Sequence, residues 1–384
     1  MTQSLKPHFS RFFAAEPGRL HFAAHSHHPW PDVTFAAHQQ AWLDAATLAD
    51  EKWDRVFGEV LPSAQREVAA TLRLPDPQTL VFAPNTHEFV NRIFSCLPDR
   101  ARIVTSDSEF HSFERQLRRL EEAGRVEATR VPAEPFATFG DRLVDAARAK
   151  KPDLVFFSQV FFNSGAVVQQ WTDVVRALPP EPLVVVDGYH GFLAVPTDLS
   201  AIAERAFYLA GGYKYAMAGE GACFLHVPPS APMRPVNTGW FAAFGALEGA
   251  MGDRIPYGPG GTRFAGATFD ASGLYRLNAV MRWRREQGLT PETTRAYTQG
   301  LQRKFLDALP SSSPLKVEQL LPAAGDEHRG QFLTFRSPDA RRWTERLRKE
   351  RVITDAREDR FRIGFGVYQD ETDVAKLLEQ IARL

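Results

Sequence analysis

Between roughly residues 79 and 226, short β-rich runs alternate with amphipathic helical stretches, and this pattern restricts the fold more than any other part of the sequence. The runs are TLVFAP, ARIVTS, RVEATRV, DLVFFSQ, LVVVD, AFYLAG and ACFLHV, with SFERQLRRLEEAG and WTDVVRALPP among the segments between them. Parallel strands need long crossovers, usually helical, so the alternation predicts an α/β fold built on a mostly parallel seven-stranded sheet. In such sheets ligands collect where loops leave the carboxyl ends of the strands. Asp187 and the Asn85–Thr86–His87 segment both fall at such ends.

After Gly266 the pattern lengthens into helical periods, in LYRLNAVMRWRREQG and TPETTRAYTQGLQRKFLDAL. A strand–helix–strand–helix reading continues through GQFLTFRS, DARRWTERLRKERV, DRFRIGFG and ETDVAKLLEQIARL, which predicts a smaller α/β C-terminal domain. The stretches PPSAPMRPVNTGW and PYGPGGTRFAG read as loops linking the two lobes. The expected division is an N-terminal arm over 1–45 that contributes to the active site and the small domain, a large domain over 46–270, and a small domain over 271–384. A chain of 384 residues with 44% hydrophobic content can bury two such cores. Lys+Arg equals Asp+Glu at 46 each, so no global field recruits nucleic acid or an anionic membrane. Cys96 and Cys223 are too few for a disulfide framework, the segment MTQSLKPHFSRFFAAEPG lacks an uninterrupted apolar run, and no stretch approaches a membrane span. A cytoplasmic protein is expected.

Two segments concentrate chemistry. VVVDGYHG places Asp187 directly after a β-branched run, and YLAGGYKYAMAGEG frames Lys214 with glycines and tyrosines, small residues that let a bulky group approach the backbone. A lysine that bonds a cofactor aldehyde, together with an acid that keeps a pyridinium nitrogen protonated, is what pyridoxal phosphate chemistry asks of a protein. Such a lysine must lose its proton readily, which burial and nearby positive charge favour. The cofactor's phosphate asks for donors at a helix N-terminus, where Asn85 and Thr86 stand; a plain N-cap is the other reading of the same residues. His190 is placed to reach the cofactor's phenolate oxygen or to serve as a structural hydrogen bonder. Phe110, after ARIVTS, is a candidate to stack on the ring, with core packing as its alternative.

Near the C-terminus, DAREDRFRIGFGVYQ holds Arg357, Arg360 and Arg362. A guanidinium fork grips a carboxylate at two points, and Arg362, between Phe361 and Ile363 on a strand, is the one set apart from solvent. The cluster HSHHPW, with His25, His27 and His28, matches no zinc spacing, so no metal is expected. The sequence contains no HExxH, P-loop or strand-anchored GxGxxG, so metalloprotease, nucleotide hydrolase and dinucleotide dehydrogenase readings lack support.

With these residues assembled, the chain resembles the class V aminotransferase family of fold type I pyridoxal phosphate enzymes along nearly its whole length, and within it the kynureninases. The resemblance implies pyridoxal 5'-phosphate as cofactor, with Asp187 on the pyridinium nitrogen, His190 on the phenolate oxygen, Lys214 as Schiff-base lysine and Tyr213 on the phosphate. NTGWF is similar to the kynureninase Gly-Trp-Phe motif, which implies Trp240 near the cofactor across a homodimer interface. RFAGATFD implies that Thr268 reaches the neighbouring subunit's phosphate. Phe110 matches the stacking aromatic; Arg357 and Arg362 match the Arg-Glu-Pro…Ile-Arg pattern, with Arg362 on the substrate α-carboxylate. HFAAHSHHPWP resembles the Asn-Ser segment of the N-terminal arm and implies a substrate-binding Ser26.

The departures concern the substrate. Gly211 stands where many members carry a hydroxyl or thiol residue, THEFVNR lacks the Thr-Val-Asn-Leu-His pattern, and His111 rather than proline follows the stacking Phe. The reaction implied is Cα–H abstraction from an α-amino acid, followed by transamination or kynureninase-type Cβ–Cγ cleavage, with β-lyase or racemase activity as the alternative. Cysteine desulfurases share the fold but need a cysteine in the small domain, and no Cys follows Cys223. A cofactor-free regulatory or scaffold protein is the alternative of another class; it would be expected to have lost Lys214 or Asp187. The partners implied are a small-molecule amino acid and a second copy of the chain, with active sites at the dimer interface.

Overall fold

The computed structural model describes residues 4–243 and 254–384. The N-terminal segment forms α1 (Ser10–Ala15), a short strand β1 (Leu20–His21) and the long helix α2 (Val33–Leu48); α3 (Lys52–Arg55) and α4 (Leu61–Leu72) lead into the main sheet. That sheet consists of β2 (Leu80–Ala83), β3 (Ala101–Ser106), β4 (Val126–Val131), β5 (Leu154–Ser158), β6 (Leu183–Asp187), β7 (Ala206–Gly211) and β8 (Cys223–His226). Their order is β2-β8-β7-β6-β5-β3-β4, and only β8 runs antiparallel to its neighbours. All seven apolar runs of the sequence are therefore strands of one sheet. Helices α5 (Thr86–Phe94), α6 (His111–Glu122), α7 (Phe139–Lys150) and α8 (Trp171–Ala177) fill the connections.

Because helices cover both faces, β5 and β7 are buried along their whole lengths. The period of two still sorts their side chains: Val155 and Phe157 enter one core, while Leu154 and Phe156 enter the other. On that second face Phe156 stacks on Phe113 of α6, with ring centroids 3.7 Å apart. Asn85 starts α5 by accepting the Glu88 N–H at 3.1 Å, which fixes the helix N-terminus at the carboxyl end of β2.

Two helices, α9 (Ser272–Glu286) and α10 (Pro291–Asp307), lead into a four-stranded antiparallel sheet of order β12-β13-β10-β9. Its strands are β9 (Leu320–Leu321), β10 (Phe332–Arg336), β12 (Asp355–Arg357) and β13 (Arg360–Gly364). Helix α11 (Ala340–Lys349), strand β11 (Val352–Ile353) and helix α12 (Glu371–Ile381) complete this part. Phe22, Leu301, Phe305, Trp343, Phe361 and Ile363 form its core. Leu274, Leu277, Val280 and Trp283 of α9 join the core beneath the large sheet instead, so the change of core comes after α9 rather than at residue 271. The N-terminal segment spans both bodies: β1 pairs in parallel with β11, Leu20 opposite Val352, whereas Phe9 packs in the first core. A short 3-10 turn, Trp240–Ala243, begins at the end of the first Pro- and Gly-rich stretch, and another, Gly260–Phe264, lies within the second. No helix among the described residues is long and apolar enough to cross a membrane.

Candidate active site

Strand β6 delivers Asp187 to the carboxyl edge of the sheet, and the chain turns at once. A Cβ on Gly188 would sit 1.9 Å from the Tyr208 Oη, so only glycine lets the backbone pass there. The turn returns the Tyr189 N–H to Asp187 Oδ1 at 2.8 Å and carries His190 inward. From the neighbouring strand β7 the chain runs through Gly211 and Gly212 to Lys214, which is 5% exposed. The Lys214 Nζ lies 2.7 Å from the His190 Nε2 and about 5.4 Å from the ring centroids of Phe110 and Tyr189. A cavity of about 970 Å³ opens over this floor, and Asn85, Thr86, Phe110, Asp187, His190 and Lys214 line it; Tyr213 does so as well.

Burial dominates the electrostatics. It lowers the Lys214 ammonium from its usual 10.5 to about 7, helped by the Arg362 charge and opposed by Asp187. Burial raises the Asp187 carboxyl to about 6 against the Tyr189 N–H and the Lys214 charge. The His190 imidazole is held well below its ordinary range, first by burial and then by Lys214, so it is neutral. A neutral amine and a neutral imidazole can share a proton across 2.7 Å, which two cations cannot do.

The donor set suits pyridoxal phosphate. The His190 Nδ1 is buried with no partner among the described residues, and a cofactor oxygen would satisfy it. An acid, a lysine, an aromatic ring and the N-terminal end of α5 border one space, and the helix dipole there favours an anion. Gly211, where a hydroxyl or thiol is common in the family resembled, has a local cause. A Cβ there would lie 2.3 Å from the Tyr189 Oη and 2.4 Å from the Cys223 Sγ, so those groups already occupy the space.

Other residues singled out in the sequence lie away from this floor. Arg362 is buried on β13 and does not border the cavity; it donates to Asp355 and to the Phe162 carbonyl, and only its Nε lacks a partner among the described residues. Arg357 is half-buried, with Nη1 3.7 Å from Asp355 Oδ1. Ser26 is half-buried, its Oγ 3.3 Å from the His27 Nδ1. The Trp240 indole donates to the Thr268 hydroxyl at 3.2 Å, outside the lining of the cavity.

Sequence reasoning passed over three residues. Asp355 is the counter-charge of Arg362. Burial alone would raise its carboxyl, yet His25 and Arg362 hold it well below the usual carboxylate range. His25, legible in the sequence only as part of a histidine cluster, is fully buried, stacks on Phe332 at 4.6 Å and brings its Nε2 to 3.7 Å from Asp355 Oδ2, just outside hydrogen-bond reach. Glu109, immediately before Phe110, is buried among serines. A carboxylate two residues before Arg357, and another at the end of a strand beside the stacking ring, were the available signals. Among the described residues no three His, Cys, Asp or Glu side chains gather as metal ligands.

Comparison with known proteins points the same way. The family description Aminotransferase class-V matches residues 42–339. Isopenicillin N epimerase of Streptomyces clavuligerus is 32% identical over 232 residues, which make up 56% of this chain and 56% of that protein. The chain thus matches about half the length of that curated relative. Among solved structures, the cystine C–S lyase C-DES in complex with its reaction product cysteine persulfide superimposes with a TM-score of 0.82 at 19% identity, covering 96% of this chain and 99% of that one. A cysteine desulfurase from Thermococcus onnurineus NA1 gives a TM-score of 0.81 at 16% identity, covering 100% of both chains. At such identities the structural likeness speaks for the fold, and it is that of fold type I.

Proposed function

The chain belongs to the class-V aminotransferase family, a pyridoxal phosphate superfamily of fold type I, and we propose that it acts at the Cα–H bond of an α-amino acid as a racemase or epimerase. The observation that carries this reading is the buried Lys214 amine, which loses its proton near neutrality and sits 2.7 Å from a neutral imidazole beside Asp187. Bound in the cavity, the cofactor would supply the electron sink for the broken Cα–H bond. Lys214 would hold it and would take the Cα proton at its Nζ, with the His190 Nε2 beside it able to accept that proton; inversion requires the returning proton to reach Cα from the face opposite Lys214, which solvent entering the cavity would supply. Asp187 would pair with the ring nitrogen and Phe110 would cover the ring. Tyr213 and the Asn85–Thr86 end of α5 would hold the phosphate. Thr268 and Trp240 serve the neighbouring subunit's site in a homodimer. Arg362 would take the substrate carboxylate when Asp355 yields a place on the guanidinium, with Arg357 and Ser26 as further substrate contacts.

Stereoinversion leads because the curated relative that shares 32% identity is an epimerase. Transamination and kynurenine-type cleavage begin with the same proton transfer and differ only in the later steps. A persulfide mechanism has little support: burial pushes both the Cys96 and Cys223 thiols up to about 12, and Cys96 borders a different cavity.

The test is to incubate the cofactor-loaded protein with single L-amino acids in deuterated water, without a keto acid, and to analyse the products by chiral chromatography and mass spectrometry. The D-enantiomer carrying deuterium at Cα is expected for at least one substrate. Ammonia with a keto acid would replace inversion by β-elimination, anthranilate with alanine from kynurenine would restore hydrolytic cleavage, and turnover only with added keto acid would make it a transaminase. A protein that stays colourless with added cofactor would overturn the reading altogether.

A further inference from the structure

From Ser106, the last residue of β3, to Phe110 before α6, four polar residues run in succession, of which Ser106, Ser108 and Glu109 are buried. The Asp107 carboxylate accepts the Ala133 N–H at 2.9 Å beyond the end of β4. The Ser108 hydroxyl accepts the Asn163 amide at 3.2 Å. Glu109, 4% exposed, reaches across to β5: its Oε1 is hydrogen-bonded to the Ser106 hydroxyl at 2.5 Å and accepts the Ser158 N–H at 3.1 Å, and its Oε2 is hydrogen-bonded to the Ser158 hydroxyl at 2.5 Å. Ser158 is the last residue of β5 and pairs in register with Asp187 on β6. On the other side of Glu109, the Phe110 carbonyl accepts the N–H groups of Phe113 and Glu114 and so starts α6.

Building on the reading of Lys214 and Asp187 as cofactor residues, we propose that Glu109 is a positioning residue for that site. By tying the carboxyl ends of β3 and β5 together, it sets the Phe110 ring on one side and the Asp187 strand end on the other. The chain from Phe110 through Glu109 and Ser158 to Asp187 then acts as one rigid strut beneath the cofactor. Without it the β3–β5 ladder, which ends at Thr105 and Phe156, would leave the loop that carries Phe110 without its side-chain tie to the strand that pairs with Asp187.

The protonation of Glu109 fits this role. Its carboxyl is raised to about 8, first by burial and also by the Asp187 charge, against the hydrogen bonds from Ser106 and Ser158. At neutral pH it is a neutral acid, so one serine hydroxyl accepts from it while the Ser158 N–H still donates to it. Asp187 on β6 is the ionised group that bears on it; the residues facing it from β3 and β5 are the two serines. The strut therefore adds no second negative charge next to Asp187.

Three variants test this: Glu109→Gln, a neutral isostere; Glu109→Ala, which removes the tie; and Ser158→Ala, which removes one donor and spares the rest. The readouts are visible circular dichroism of the bound cofactor, cofactor affinity, and amide hydrogen exchange of residues 106–113 in cofactor-free protein. Wild type and Glu109→Gln are expected to match in all three at pH 7. Glu109→Ala is expected to lose most of the cofactor dichroism, to bind the cofactor at least about 10-fold more weakly, the effect of an unmet buried hydrogen-bond set, and to exchange its loop amides faster; Ser158→Ala should fall between. Between about pH 4.5 and pH 8 the folded protein holds a proton on Glu109 that the unfolded chain releases, so the stability that Glu109 contributes falls with rising pH through that window. Glu109→Gln should show a shallower fall in thermal midpoint over the same range.

Glu109→Ala and Ser158→Ala proteins that match wild type in dichroism and loop exchange would overturn the proposal, as would a Glu109→Gln protein as damaged as Glu109→Ala. The exchange measurement needs no cofactor. A wild-type protein that takes up no cofactor would therefore sink the functional reading while still reporting on the strut.

Discussion

The floor of the cavity and the Arg362 cluster solve opposite electrostatic problems with the same kinds of residue. At the floor, Lys214 is buried against a neutral histidine and its charge is disfavoured, so the amine is ready to lose a proton. On the small sheet, Arg362 is buried as deeply, but Asp355 answers its charge directly and the Phe162 carbonyl takes a second N–H. The first region leaves chemistry open, whereas the second closes it with an internal partner. A ligand carboxylate that is to reach Arg362 must share or displace Asp355, whereas a group reaching Lys214 meets no counter-charge on it, only the hydrogen bond to His190.

The strongest way to break this contrast is Lys214→Ala. Cα hydrogen exchange by the cofactor-loaded protein is expected to fall by about 100- to 10,000-fold, because a positioned base is lost. Exchange measured by NMR at an unchanged rate would mean that the floor is not where the proton is taken. Next in size is Asp355→Ala, which strands a buried guanidinium; urea unfolding should show a loss of about 3–5 kcal/mol. Added amino acid should recover part of that loss if the substrate carboxylate takes the vacated place, and no recovery would remove Arg362 from the substrate site.

A smaller effect comes from Lys214 itself. In cofactor-free protein the folded state gives up a proton near pH 7 that the unfolded chain keeps until about 10.5. The unfolded state then binds more protons, and stability rises with pH across that window. Thermal midpoints of wild type should therefore climb relative to Lys214→Met between those limits, and parallel curves would show that Lys214 keeps an ordinary ammonium. Smallest is Glu134→Ala. Glu134 meets Arg336 and, at 3.3 Å, Arg360 across the two bodies, but the pairs are partly exposed. A change of no more than about 1 kcal/mol is expected by thermal denaturation.

Much of the fold was legible because its signals are local. A parallel sheet covered on both faces needs continuous apolar runs, and each of the seven runs became a strand. Asp187 and Lys214 were legible for a related reason: polar residues right after such runs are carried to the sheet's carboxyl edge whatever the rest of the chain does. The placement of α9 was not legible, because its apolar stripe is compatible with either core and only contact with α2 and α4 decides between them. Nor was the closing of Arg362, since the sequence shows an arginine on a strand but not the aspartate from the adjoining strand that occupies it.

What the sequence determined by itself was thus the architecture, the family and the pair of groups at the cavity floor, all set by hydrophobic periodicity and by residues adjacent along the chain. Only the tertiary structure decided which charges are answered and which are left open. Asp355 with Arg362, His25 with Phe332, and Glu109 with Ser158 each join separate strands or segments. Whether a buried polar group finds a partner depends on distances across the fold, and burial itself brings a lysine down to about 7 and a glutamate up to about 8.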